Sequence, residues 1–435
     1  MHAAGDLSRS TTLVLALGVS FCSAAVVPAA EWPGWRGPER NAISPETGLL
    51  QSWPQGGPRL VWQIKTAGEG YSGPAVARGF LVTMGNRDED EYVLCYSVND
   101  GRELWAYKNG KAYKNSYGNG PRCTPTIDGN RVFALGANGD LCCLDLRTGK
   151  AFWQMNILQR FRGNNIGWGI SESPLIEGNL VIVTPGGTEG TLVALDKFTG
   201  TLRWASKDPS RDREPAGYAS PIAFTVGGVR QIATFTSLGA FAARASDGKF
   251  LWRYDKVANR TANIATPVFF RDHIFYSSAY GAGCALLKLS SDGQANEVYF
   301  SKDLQNHHGG FVLVDGYLYG YNGGSALVCM EWSTGKLMWR DRSVGKASLC
   351  YADRHLYVLS EDGVVGLVEA NPKQYREKGR FKLPVRSDRH SWPHPIIADG
   401  RLYIRDQQYI HCFDVRSSAA ARIGLPLFER HERRE

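Results

Sequence analysis

The sequence predicts an all-β chain: an eight-bladed β-propeller of four-stranded antiparallel blades, its ring closed by a strand from near the N-terminus. Three observations predict it. A Gly-x-x-x-Trp signature recurs roughly every fifty residues, which is the length of a propeller blade. Each unit opens on a Gly-, Ser-, Thr- or His-rich turn, usually with proline, followed by short apolar strands of period two. The last unit lacks its fourth strand, and the first is preceded by an unpaired one. The composition agrees, with 49 Gly, 12 Trp and 19 Tyr in 435 residues. Glycine supplies tight turns and aromatic residues favour strands.

The signature reads Gly101/Trp105, Gly149/Trp153, Gly200/Trp204, Gly248/Trp252 and Gly335/Trp339. A degenerate unit between the last two, SSDGQANEVYF, puts Phe300 in the tryptophan place. Another, EANPKQYREKGRF, ends at Phe381. The glycine is expected at positive φ in a hairpin, with Asp and Thr of D-x-x-T-G bonding turn amides. Each tryptophan is expected to dock on the neighbouring blade as a structural staple worth about 3–5 kcal/mol relative to alanine.

Blade openings fall at Gly73-Pro74, Thr124-Pro125, Ser173-Pro174, Ser220-Pro221, Thr266-Pro267, His308-Gly309-Gly310, Ala347-Ser348 and His394-Pro395. The eighth unit stops after its third strand at Asp414, whereas PRLVWQIK carries Trp62 with no unit before it. Residues 60–64 are therefore expected to complete blade eight and remove two exposed sheet edges.

The propeller is assigned to residues 58–416, preceded by an N-terminal wrap over 31–57 and followed by a polar tail, 417–435. The apolar stretch 11–27, bounded by Arg9 and by Pro28-Ala29-Ala30, is short for a membrane span and ends in small residues. Residues 1–30 are read as a signal peptide, so a periplasmic or extracellular location is expected, with no transmembrane segment in the mature chain. Cys22 sits in a poor lipobox. The net charge of +8 comes from interspersed charges without a basic run, which argues against nucleic-acid binding.

The repeat [AC]-x-D-x-x-T-G-K-x-x-W, seen in LCCLDLRTGKAFW, resembles the tryptophan-docking repeat of the quinoprotein alcohol dehydrogenase-like superfamily. That superfamily includes PQQ-like propellers without enzymatic activity, BamB-like propellers among them. The opening WPGWRGPERN resembles secreted PQQ-binding-like propellers. In the enzymes, the resemblance implies a calcium-held PQQ on the axis, a carboxylate base and a vicinal disulfide over the cofactor. Cys142-Cys143 is the only adjacent cysteine pair here. Cys143 aligns with Ala194, Cys95, Cys329 and Cys412, a repeated third-strand slot for a small buried residue. The pair is thus mid-strand, and no disulfide is expected among the equivalent cysteines, because equivalent places in neighbouring sheets stand about 10 Å apart.

The loops that open the blades gather at one channel mouth, where a small molecule or peptide is expected. The candidate ligand-binding residues are Glu69, Tyr71, Arg122, Trp168, Glu172, Tyr218, Asn263, His307, His308, Trp392 and His394, with Tyr117 and His390 nearby. No catalytic or metal-binding residue is assigned, and adjacent histidines 307 and 308 are expected to point apart in an extended chain. The reading is an exported, non-catalytic binding scaffold with no cofactor expected and protein partners compatible. Its alternatives are a PQQ- and calcium-dependent alcohol or sugar dehydrogenase and a BamB-like outer-membrane assembly factor.

Overall fold

A computed structural model describes residues 30–417 apart from Ser325. Residues 1–29 of the expected signal peptide, Cys22 among them, and all but the first residue of the tail lie outside the described residues. Eight four-stranded antiparallel sheets follow one another around the ring. Their first strands begin at residues 75, 126, 175, 222, 268, 311, 347 and 396, directly after the expected openings except in blade seven, where Ala347-Ser348 already belong to the strand. Strand β1 (Arg59–Ile64) pairs with Tyr409–Asp414 as the fourth strand of blade eight, Trp62 opposite Cys412. The ring is closed as the repeat predicted. Arg405 of blade eight reinforces the seam, donating to the carbonyls of Ser72 (2.8 Å) and Ala67 (3.2 Å) beside blade one.

The repeat motif does what its chemistry requires. In blade two, Asp145 accepts from the amides of Arg147 (3.1 Å) and Thr148 (2.8 Å) and from the Thr148 hydroxyl (2.8 Å). Gly149 follows at φ +69°, and a Cβ there would lie 2.7 Å from the Trp105 ring of blade one. The glycine is needed both for the turn and for the close approach of the staple. The indole N–H of Trp105 then donates to Leu146 O (2.9 Å), and Trp153 repeats the bond to Lys197 O of blade three (3.1 Å). Trp62, Trp204 and Trp339 do likewise. Trp252 departs from the pattern and donates to Gln231 Oε1 within its own blade (2.9 Å).

Two staple positions differ from the sequence reading. In blade five the residue opposite Leu286 is Tyr299, not Phe300. Its ring lies against Gly335 of blade six as Trp105 lies against Gly149. The hairpin after Gly293 is longer than in the other units, and a shift of one residue turns a strand side chain to the opposite face. In blade seven the residue opposite Leu367 is Gly379, two before Phe381, so the strand has no staple of its own. Trp53, from the segment preceding β1, fills the gap. It lies 6.0 Å from Tyr357 at 54°, matching Trp62–Tyr403 (5.9 Å, 56°), Trp153–Phe133 (6.1 Å, 50°) and Trp339–Tyr319 (6.1 Å, 50°). Its amide donates to Lys378 O (3.0 Å) and a Cβ on Gly379 would meet it at 2.9 Å. Its indole nitrogen is buried without a partner, unlike those of the in-strand tryptophans.

Both faces of every sheet are covered by neighbouring blades, so Cys142 and Cys143 are each fully buried although they face opposite ways. The eight described cysteines are all free, and burial pushes the Cys95 and Cys412 thiols up to about 12.

The N-terminal segment does more than wrap the rim: residues 32–44 cross the propeller axis. Trp32 pairs with Val76 of blade one, and Pro33 O accepts from Ile127 N in the first strand of blade two (2.7 Å). Arg40 donates to Ser173 O (2.7 Å) and Pro174 O (3.0 Å) before blade three. Trp35 Nε1 donates to Thr266 Oγ1 before blade five (2.8 Å), and Arg36 Nη2 to Phe311 O of blade six (2.6 Å). Ser44 N reaches Tyr351 O of blade seven (2.8 Å). The buried guanidiniums are satisfied mainly by backbone carbonyls, and desolvation lowers Arg36 to about 9 and Arg40 to about 10. The segment plugs the channel. No helix among the described residues is long and apolar enough to cross a membrane.

Candidate functional site

Above the plug, the blade-opening loops enclose a cup of about 410 Å³. Trp35 of the plug contributes to its wall, 4.6 Å from the His394 ring. Eight of the eleven expected residues line the cup: Tyr71, Arg122, Trp168, Tyr218, His307, His308, Trp392 and His394. Tyr117 and His390 line it too.

The aromatic lining is built in two clusters. Tyr71 and Trp392 stack at 4.4 Å and 27°, and Trp392 Nε1 donates to Glu361 Oε1 (2.8 Å). Trp168 sits between Tyr117 (5.9 Å, edge-on) and Tyr218 (5.7 Å), with its amide donating to the Tyr218 hydroxyl (3.4 Å). Edge-on and offset pairs of this kind hold aromatic rings in fixed poses.

Charge is sparse and largely spent. Arg122 donates to Gly120 O (2.7 Å) and Gly118 O (2.9 Å) and lies over the Tyr71 and Tyr113 rings. Desolvation lowers its pKa. Lys346 pairs with Glu361 at 3.0 Å. The two lining serines are engaged with backbone: Ser171 donates to Gly169 O (3.0 Å), and Ser220 Oγ accepts from Ser173 N (2.8 Å).

The histidines contradict one expectation. His307 and His308 do not point apart: their Nδ1 atoms are 2.9 Å from each other. The chain bends here instead of running extended, so the alternation of a strand does not apply. His307 Nε2 meets the Tyr280 hydroxyl (2.7 Å), and His394 Nε2 meets His308 O (2.9 Å). Burial lowers His307 to about 4 and His394 to about 3, so both are neutral at pH 7.

Glu69, Glu172 and Asn263 lie outside the lining. Glu69 accepts from Asn119 Nδ2 (3.1 Å). Asn263 donates to Thr236 O (2.9 Å) and Ser237 O (3.1 Å), bracing the loop behind the cup. Glu172 is buried and accepts from Thr184 N (2.5 Å); burial raises it to about 7, with Arg40 opposing the shift. Sequence reasoning missed Trp35, Tyr280, Lys346 and Glu361. The first lies in the plug, and Tyr280 in a hairpin between second and third strands. Neither position belongs to the blade-opening loops.

The lining does not fit a calcium-held quinone. Calcium takes six to eight oxygen ligands, usually including several carboxylates. Glu361 is the one carboxylate lining the cup, and it is held by Lys346 and Trp392. Among the described residues no group of three His, Cys, Asp or Glu side chains is placed to hold a metal.

Comparison with known proteins agrees with this fold. A family model described as "Outer membrane protein assembly factor BamB" matches residues 43–171, 89–320 and 288–378. The BamB of Shewanella oneidensis is 24% identical over 53% of this chain and 54% of its own length. That of Burkholderia pseudomallei is 25% identical over 47% of this chain and 50% of its own. The chain thus spans about half the length of these curated relatives. Among solved structures, BamB from Moraxella catarrhalis superposes with TM-score 0.57 at 17% identity, covering 82% of this chain and 97% of that one. A europium-containing methanol dehydrogenase reaches 0.65 at 14% identity, covering 86% and 89%. At these identities the structural likenesses speak to the fold alone. Three overlapping matches of one family model, joined by the docking repeat seen blade after blade, place the chain in the PQQ-like β-propeller family described as outer membrane protein assembly factor BamB.

Proposed function

We propose that the protein is a non-catalytic binding propeller of the cell envelope that receives a ligand in the plugged aromatic cup. The observation that carries this reading is the state of the cup's polar groups. Glu361 is paired with Lys346, both lining serines are bonded to backbone, and burial keeps the His307 and His394 imidazoles neutral. A general base or nucleophile needs a poised partner within hydrogen-bond reach, whereas a binding pocket needs apolar walls with a few fixed polar groups. The lining has the second character. Tyr71, Arg122, Trp168, Tyr218, His307, His308, Trp392 and His394 are its proposed contacts. Purified protein titrated with PQQ and calcium should gain no dye-linked alcohol or sugar oxidation; turnover that depends on both would overturn the reading.

The family match favours a particular form of this scaffold, a factor in outer-membrane protein assembly, as the names of the relatives state. Export to the periplasm belongs to that proposal. Deleting the gene in its host should lower the amount of folded outer-membrane β-barrel protein. An unchanged outer-membrane profile would remove the assembly role and leave the binding reading to be judged by the cup.

A further inference from the structure

We infer that the cup takes the non-reducing or reducing end of a neutral carbohydrate chain, which rests on the binding reading above and names its ligand class. The plug closes the cup from below, so a polymer can enter only by its end. At about 410 Å³ the space is within the range of small-ligand pockets.

Charge decides against ionic ligands. A cation would meet Arg122 and Lys346, although aromatic walls alone would suit one. An anion would find Arg122 with two of its nitrogens already given to Gly118 and Gly120, and Lys346 already paired with Glu361. A neutral ligand displaces none of these partners.

The hydrogen-bonding pattern at the base of the cup points to a hydroxyl. His394 Nε2 faces the carbonyl of His308 at 2.9 Å, so that nitrogen carries the proton. Its Nδ1 is then an acceptor, and it is buried with no partner. His394 is 5% exposed and lines the cup. His308 Nε2 instead faces Glu361 Oε1 at 3.8 Å, so the unmet acceptor is that of His394 alone. An unmet buried acceptor requires a donor. A carboxylate or a fully ionised phosphate ester has no proton to supply, and a sugar hydroxyl has one. Nearer the mouth, Tyr117 and Tyr280 are 68% and 53% exposed, with Trp168 packed against Tyr117. These rings offer flat apolar surface for the C–H faces of a pyranose, while Glu361 and Lys346 can share their outer lone pairs and protons with its equatorial hydroxyls.

The test is isothermal titration of the full chain with cellohexaose, laminarihexaose, maltohexaose and chitohexaose. At least one should bind with Kd below about 1 mM. Trp168→Ala should weaken that binding at least tenfold, and Tyr280→Ala, at an exposed position that folding does not need, at least threefold. Silence from all four sugars, or binding indifferent to both variants, overturns the carbohydrate inference. Silence from the sugars without PQQ-dependent turnover removes this inference alone. Binding accompanied by PQQ-dependent oxidation of the same sugar keeps the ligand class and removes the non-catalytic reading.

Discussion

Replacing Trp53 by alanine removes a staple that blade seven does not encode in its own strand. The side chain is 93% buried, since 7% remains exposed, and it packs on Phe381 at 5.2 Å and Tyr357 at 6.0 Å. Truncating a buried tryptophan costs about 3–5 kcal/mol. Its indole N–H is buried without an acceptor, and leaving such a donor unmet costs about 1–3 kcal/mol. Alanine relieves that penalty, so the net loss should centre on about 2 kcal/mol. Phenylalanine separates the two terms: Trp53→Phe keeps most of the ring contact and removes the orphan donor, and should leave stability within about 1 kcal/mol or raise it. The same change at Trp153 strands the Lys197 carbonyl that its N–H now serves, and should cost about 1–2 kcal/mol more than at Trp53. Urea unfolding followed by far-ultraviolet circular dichroism gives all three values. A Trp53→Ala loss under about 0.5 kcal/mol, or a Trp53→Phe loss equal to that of Trp153→Phe, would refute the staple argument.

Other consequences are testable in the same way. Deleting residues 58–66 should abolish cooperative unfolding, because blade eight loses its fourth strand; a transition that keeps its sharpness would count against ring closure as the source of cooperativity. Glu91 is buried and accepts from Ala137 N (3.2 Å) and Asn109 Nδ2 (3.5 Å), and burial raises its carboxyl to about 7. The native state therefore holds this proton more tightly than the unfolded chain. Stability contributed by the protonated form is complete below about pH 4.5 and is lost as pH rises through about 7. Glu91→Gln should flatten that part of the urea-midpoint profile, and an unchanged slope would deny the shift. Gly149→Ala forces a Cβ against Trp105 at positive φ and should destabilise by about 2 kcal/mol or more, read from the unfolding midpoint; a neutral effect would contradict the docking geometry. Iodoacetamide mapping at pH 8 should label none of the eight described cysteines until urea is added, since burial holds their thiols up; native labelling of Cys142 or Cys143 would contradict their burial.

The architecture was legible because the blade repeats its own chemistry. Gly149 and Trp105 announce a hairpin and a docking ring from sequence spacing alone, and Trp62 without a unit of its own announces closure. The failures have equally local causes. Tyr299 took the place expected of Phe300 because one hairpin is longer, and Trp53 serves blade seven from a segment with no periodicity to read. At the cup, the loop positions of Tyr71, Trp168 and His394 could be inferred, but side-chain direction could not. Asn263 and Glu69 turn back because nearby loop groups need partners. His307 and His308 meet because the chain bends where a strand rule was applied.

The crossing segment also sets an order on assembly. Residues 32–44 leave the ribosome before any blade, yet their partners are distributed from blade one to blade seven, and β1 waits for the last strand of all. Contacts of such long sequence separation form late and slow a folding reaction. Residues 32–64 must therefore stay uncommitted while the ring is built around the place they will occupy. Until they arrive, the molecule is an open arc with two raw sheet edges and an unsealed bore. Insertion of one short, glycine- and proline-punctuated peptide is thus both the lock of the fold and the step that gives the cup its floor.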